Sequence, residues 1–244
     1  SSADPTDWAA AFGTSLTPLP LFTAVTGDSP AKIQQITTSP VAAFHPEGGN
    51  LVMFGTGSFV DDSDLLSPFS TNTFYGIWDK DDGTTRVTSR SQLQKQAVLA
   101  NTTIGGINYV LESNCIPQYK LEAQAPTAAT TTCPASLAPP TNGDGTVSQQ
   151  LGWMLDLAND PAVSNSGERY ISSAPPILEN GLLTFVTLTT SGDVCSAGGY
   201  DLRYDIDYLS GGAFPKPVYF DLTTSTATPI LVGFTVGGVS VSKP

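Results

Sequence analysis

Every apolar run in this chain is short, and each is closed off by Gly, Pro, Asn or Asp. Leu51-Val-Met-Phe-Gly55 follows the turn Pro46-Glu-Gly-Gly49, and Thr73-Phe-Tyr-Gly-Ile-Trp78 runs into Asp79-Lys-Asp-Asp-Gly83. Ile107–Leu111, Gly152–Leu157, Leu182–Leu188, Leu202–Asp207, Val218–Leu222 and Ile230–Phe234 continue the series. Runs of this length, several alternating with period two, read as strands, and Asp79–Gly83 reads as a hairpin turn with Gly83 at positive φ. Ser91–Ala97 alone reads as helical, over about two turns. Charged residues make up 13% of the chain, about half the usual share, and long helices need such residues on their wet face. The expected fold class is all-β.

An internal repeat narrows this further. Thr38-Ser-Pro-Val41 leads through Gly49 to an apolar run ending at Thr56, and Ser172-Ser-Ala-Pro-Pro-Ile177 leads through Gly181 to one ending at Thr187. A β-sandwich gives similar strand spacing without requiring a repeat, whereas repeated antiparallel meanders are the signature of propeller blades. Residues 113–148 break the pattern with Ala, Thr and Pro, and read as a long surface excursion between blades. Cys115 and Cys133 flank part of it. A disulfide between them is expected to stabilise the loop by about 3 kcal/mol, which leaves Cys195 free or joined elsewhere.

The net charge of −12 repels phosphate backbones, so nucleic acid is not an expected partner, and no basic patch suits anionic lipid. No apolar run is long enough to span a membrane. The chain starts at Ser1 with no signal-peptide pattern, and is read as a processed product or a piece of something longer.

Catalytic chemistry finds little support. His45 is the single histidine, so any Ser-His-Asp or Cys-His unit must use it, and in Phe44-His-Pro46 a structural role is favoured. Gly-x-Ser-x-Gly is absent, and the cysteine spacing fits no zinc motif. Asp156, Glu168, Asp205 and Asp207 are candidate acid–base carboxylates by type alone. Asp205 and Asp207 share one strand face, expected to turn to solvent or to a neighbouring turn. Trp8, Trp78, Trp153, Phe74 and Tyr75 have the character of sugar- or peptide-stacking residues, but packing between blades is the favoured role. Asn101-Thr-Thr103 fits a glycosylation sequon of incidental kind. No catalytic, cofactor or metal residue is assigned.

In chain order, Pro20-Leu-Phe-Thr-Ala24, Ser39-Pro-Val41, His45-Pro46, Phe54-Gly-Thr-Gly-Ser-Phe59, Thr73-Phe-Tyr-Gly-Ile-Trp-Asp79, Arg90-Ser-Gln-Leu93, Gly152-Trp-Met-Leu-Asp-Leu157, Gly167-Glu-Arg169 and Cys195-Ser-Ala-Gly-Gly199 resemble the C-terminal propeller of the PilC/PilY-type family of type IV pilus biogenesis and tip-adhesin factors. The resemblance spans roughly residues 18 to 212, and Asp205–Gly211 is similar to the blade ends of quinoprotein propellers. It implies that residues 1–244 are the C-terminal part of a β-propeller domain, roughly four blades, which either are completed by missing upstream blades or form a smaller or open assembly. It further implies a non-catalytic protein acting in pilus biogenesis and surface attachment, exported through the periplasm to the cell surface or pilus tip. Its partners would be pilus subunits and host or abiotic surfaces. Calcium is the one cofactor the family raises. Asp79–Gly83 and Asp61-Asp-Ser-Asp64 begin like calcium loops but lack the distal Glu, and solvated turns are expected. The rival class is an extracytoplasmic propeller enzyme, a hydrolase or quinoprotein-like oxidoreductase.

Overall fold

The computed structural model describes residues 10–60, 64, 68–104, 107–120, 133–140, 147–157, 167–172, 175–190, 199–213 and 234–240, with the side chains of 100–111, 190, 199–200 and 234–240 left aside. Its strands are β1 (Val41–Phe44), β2 (Asn50–Gly55), β3 (Thr73–Asp79), β4 (Gln94–Gln96), β5 (Val98–Ile104), β6 (Ile107–Glu112), β7 (Gly152–Asp156), β8 (Ile177–Glu179), β9 (Leu182–Thr190), β10 (Gly199–Asp207) and β11 (Phe234–Ser240). They form a five-stranded sheet in the order β1-β2-β3-β7-β4 and a six-stranded sheet in the order β5-β6-β11-β10-β9-β8. The fold is all-β; among the described residues it is built of antiparallel meanders in two sheets, with β4 alone pairing in parallel, against β7.

The first sheet is buried on both faces at its centre, and β3 shows why. Alternation puts Phe74, Gly76 and Trp78 on one side of the strand and Tyr75 and Ile77 on the other, and all five are buried. The Tyr75 side is roofed by the segment before β1: Phe22 meets the Tyr75 ring edge-on at 5.0 Å, and the Tyr75 hydroxyl donates to Gln34 Oε1 at 2.6 Å. Gly49, at φ 71°, closes the β1–β2 turn so near β3 that a Cβ there would lie 2.1 Å from the Asp79 carbonyl. Only glycine suits that position.

The two halves of the sequence repeat become the hairpins β1–β2 and β8–β9, each at one edge of its own sheet. In the second sheet, Leu183 and Phe185 of β9 and Leu202, Tyr204 and Ile206 of β10 point inward.

The helix expected over Ser91–Ala97 does not form. A short 3-10 turn at Arg90–Gln92, capped by Ser89, gives way to β4, in which Gln94 and Gln96 are buried and Lys95 is exposed. That is strand periodicity. Gln96 fixes it: its Nε2 donates to the carbonyls of Cys115 and Ser210 at 2.6 and 2.7 Å, and its Oε1 accepts from the Ser113 hydroxyl and the Cys115 N–H at 2.6 and 3.1 Å. A fully satisfied buried amide of this kind outweighs the modest helix propensity of Gln and Lys.

The strand expected at Ile230–Phe234 overlaps β11 only at Phe234, and Val218–Leu222 lies outside the described residues. Of the 113–148 stretch, residues 121–132 and 141–146 lie outside them too. Its described flanks enter the core: Ser113, Cys115 and Cys133 are buried, and Cys115 is joined to Cys133.

Candidate functional site: the seam between the sheets

The sheets meet through a run of aromatic rings. Phe74 stacks on Phe185 with centroids 3.8 Å apart, Phe185 stacks on Tyr204 at 4.8 Å, and Tyr170 meets Phe74 edge-on at 5.2 Å. Trp153 lies parallel to Phe74 at 6.2 Å and donates from its indole N–H to the Tyr208 carbonyl at 2.8 Å. Phe74, Tyr75 and Trp153 are wholly buried and Trp78 nearly so; in this structure they are packing residues. Trp8 lies outside the described residues.

A short strap, residues 167–172, ties the seam. Tyr170 N–H donates to the Thr56 carbonyl at the end of β2, while Arg169 exchanges backbone hydrogen bonds with Leu188 of β9. Glu168 stands between them, buried, and accepts from the Thr187 hydroxyl at 2.5 Å and the Tyr204 hydroxyl at 2.8 Å. Glu112 at the end of β6 is 1% exposed. Burial first, and the charge of Glu168 second, push its pKa well above the ordinary glutamate value. Glu112 carried no signal in the sequence, because a glutamate closing a strand normally faces water.

The other carboxylates named from the sequence are spread out. Asp156 pairs with Arg90 at 2.5 Å and accepts from the Thr73 hydroxyl at 2.8 Å. Asp205 does not face solvent: it is buried, accepts from the Thr184 hydroxyl at 2.5 Å and pairs with Arg203 at 3.0 Å. Asp207, two residues on, caps the following turn by accepting from the Leu209 and Ser210 N–H groups. Each is tied to structural neighbours.

In the turn after β3, Asp79 accepts from Asp81 N–H at 3.0 Å. Asp82 Oδ1 accepts from the Thr84 and Thr85 N–H groups, and Asp82 Oδ2 from the Thr85 hydroxyl. Those bonds, the Thr85 hydroxyl foremost, hold the Asp82 carboxyl below the usual carboxylate range. These two carboxylates are spent on closing the loop. Asp64 is described, but Asp61 to Ser63 are not, nor is Cys195. Among the described residues no group of three or more His, Cys, Asp or Glu side chains is placed to hold a metal ion.

His45 is buried, stacked on Trp78 at 4.2 Å and met edge-on by Tyr119 at 4.3 Å. Its Nδ1 accepts from the Glu47 N–H at 3.2 Å, so Nε2 carries the proton of the neutral ring. Tyr119 in turn donates to the Leu209 carbonyl, fastening the described end of the 113–120 segment to the turn after β10.

Known proteins agree with this architecture. Residues 1–104 match the family model of the PilY1 beta-propeller domain. The chain is 29% identical over 224 residues to the type IV pilus biogenesis factor PilY1 of Pseudomonas aeruginosa (strain UCBPP-PA14), an alignment covering 87% of this chain and 17% of that protein. The crystal structure of the Pseudomonas aeruginosa PilY1 C-terminal domain superposes with a TM-score of 0.59 at 25% identity, over 89% of this chain and 42% of that one. This chain therefore spans well under half of either relative. Family model, full-length relative and solved structure agree, and what the chain is similar to is a PilY1-type C-terminal region of the β-propeller class.

Proposed function

We propose that this region works in type IV pilus biogenesis and surface attachment as a rigid, non-catalytic β scaffold presented outside the cytoplasm. The observation that carries the reading is the similarity to a pilus biogenesis factor along 87% of the chain. The seam supports it physically. Of the carboxylates there, Glu168, Asp156 and Asp205 are committed to hydroxyls and arginines, and His45 is stacked and buried. Such a scaffold acts through its loops and rims. Pilus subunits are its partners, with host or abiotic surfaces and the neighbouring propeller strands of a longer polypeptide beside them. The acidic surface suits basic protein patches. The similarity to a pilus biogenesis factor supports display at the cell surface, with the pilus tip as the proposed site.

The test is genetic. In the source bacterium, the seam is broken in the full-length protein by Phe74→Asp, and surface pili are counted by electron microscopy. Piliation and attachment are expected to fall together. Normal piliation and attachment with a demonstrably unfolded region would overturn the reading.

A further inference from the structure

Beside the strap lies a cleft of about 200 Å³, walled by Ile33, Gln35, Ser58, Asp64, Phe69 and Asn72, with Arg169 on its lining. Arg169 is only 4% exposed. Its Nε donates to the Gly167 carbonyl at 2.9 Å and its Nη1 to the Ser58 carbonyl at 2.8 Å. The ring centroids of Phe59 and Phe69 lie 5.9 and 5.7 Å from the guanidinium carbon, within cation–π range. Nη2 makes no hydrogen bond to any described residue.

Burial pulls the guanidinium pKa below its ordinary value, opposed by the charge of Asp64. Asp64 is itself engaged, accepting at Oδ2 from the Ser58 hydroxyl at 3.0 Å and the Val60 N–H at 2.9 Å. The remaining donor edge of this largely buried guanidinium borders the cleft, where solvent or an entering acceptor can meet it. The fork of Arg is shaped for a carboxylate.

Exposed apolar side chains adjoin this largely polar lining: Ile33, on the cleft wall, is 79% exposed, and Phe59 and Val60, which follow Ser58 of the wall, are 48% and 85% exposed. Gln35 and Gly57 are joined by a backbone hydrogen bond of 2.9 Å, which brings the Ile33–Ile36 segment alongside Ser58–Val60. A phosphate would meet greater repulsion than a carboxylate from a chain of net charge −12. An acid without an apolar neighbour would leave Ile33, Phe59 and Val60 uncovered.

We propose that this cleft binds a carboxylate of a partner polypeptide, with an adjacent apolar side chain seated on Ile33, Phe59 and Val60. The proposal rests on the cleft itself and stands or falls independently of the pilus reading.

Isotope-labelled full chain, titrated by NMR with three probes, tests it. The probes are N-acetyl-leucyl-phenylalanine as the free acid, the same dipeptide as its amide, and the N-acetylated tripeptide amide Leu-Glu-Phe. Saturable shifts at Arg169 Nε–H with either acidic probe, and not with the neutral amide, support the site. Which acid binds more tightly tells a chain end from an acidic side chain. Equal shifts with the amide, or none with any probe, overturn it. Gln35→Glu sets a negative charge on the exposed wall without touching a bond of Arg169, and is expected to weaken the acidic probe about tenfold. Arg169→Lys, which keeps the charge and loses the fork, should do the same. If that variant fails to fold, Gln35→Glu decides: unchanged affinity contradicts the proposal.

Discussion

Phe74 of β3 and Phe185 of β9 lie face to face at 3.8 Å, with 15° between their ring planes, and this contact joins the two sheets. Each ring also meets Tyr170 from the strap. Phe74→Ala or Phe185→Ala should each destabilise the protein by about 3–5 kcal/mol. The double variant should cost clearly less than the sum, because the second truncation removes a ring that has already lost its partner. Urea unfolding of the three variants measures this; strict additivity would mean that the sheets are not coupled there.

Trp153 depends on the absence of a side chain opposite it. A Cβ at Gly76 would come within 2.4 Å of the indole, and one at Gly211 within 2.1 Å. Gly76→Ala should therefore destabilise by about 1–3 kcal/mol, although alanine in a strand interior ordinarily costs less than glycine. A blue-shifted or quenched Trp emission that changes along with the loss would place the strain at the indole.

His45 makes stability fall with acid. Burial lowers its pKa from 6.5 to about 4, with Glu47 opposing. Between those values the unfolded chain takes up a proton that the folded chain refuses. Its contribution is complete above pH 6.5, declines as pH falls, and is gone below about pH 4, a loss of at most about 3 kcal/mol. His45→Phe keeps the stacking and removes the titration. Relative to that variant, the parent should lose stability between pH 7.5 and 4.5; parallel curves would show that His45 does not titrate differently on folding.

Glu112 works with the opposite sign. Its folded pKa is raised by burial and by Glu168, so its contribution is full below the ordinary glutamate value and is lost as pH rises. Glu112→Gln should gain more than about 1 kcal/mol over the parent at pH 8 and lose that advantage near pH 4.5. A variant less stable than the parent at pH 8 would show that the carboxylate is paired.

Strands β3, β7, β9 and β10 were legible because they combine apolar alternation with Gly and Asp stops, whereas β11, central in the second sheet, was read only at Phe234. Two further features were not legible. Gln94–Gln96 reads as helix by propensity, and only the distant carbonyls of Cys115 and Ser210 make it a strand. β5 went unread because Val98–Ile104 is weakly apolar, although Gly105-Gly106 before Ile107 is a hairpin signal. The resemblance motifs contained Glu168 and Arg169 without revealing their roles. Their surroundings come from β2, β9, β10 and the 58–72 region, segments far apart in sequence.

The proposed function requires this folded region to engage the pilus machinery through its surface. Co-purification of pilus subunits with the purified chain, by affinity capture from source-bacterium envelope extract with quantitative mass spectrometry, tests it most directly. Specific enrichment of pilus subunits over an equally acidic control domain is expected, and it should be lost with Phe74→Asp. No enrichment by a chain whose near-UV circular dichroism shows fixed aromatic packing would contradict it.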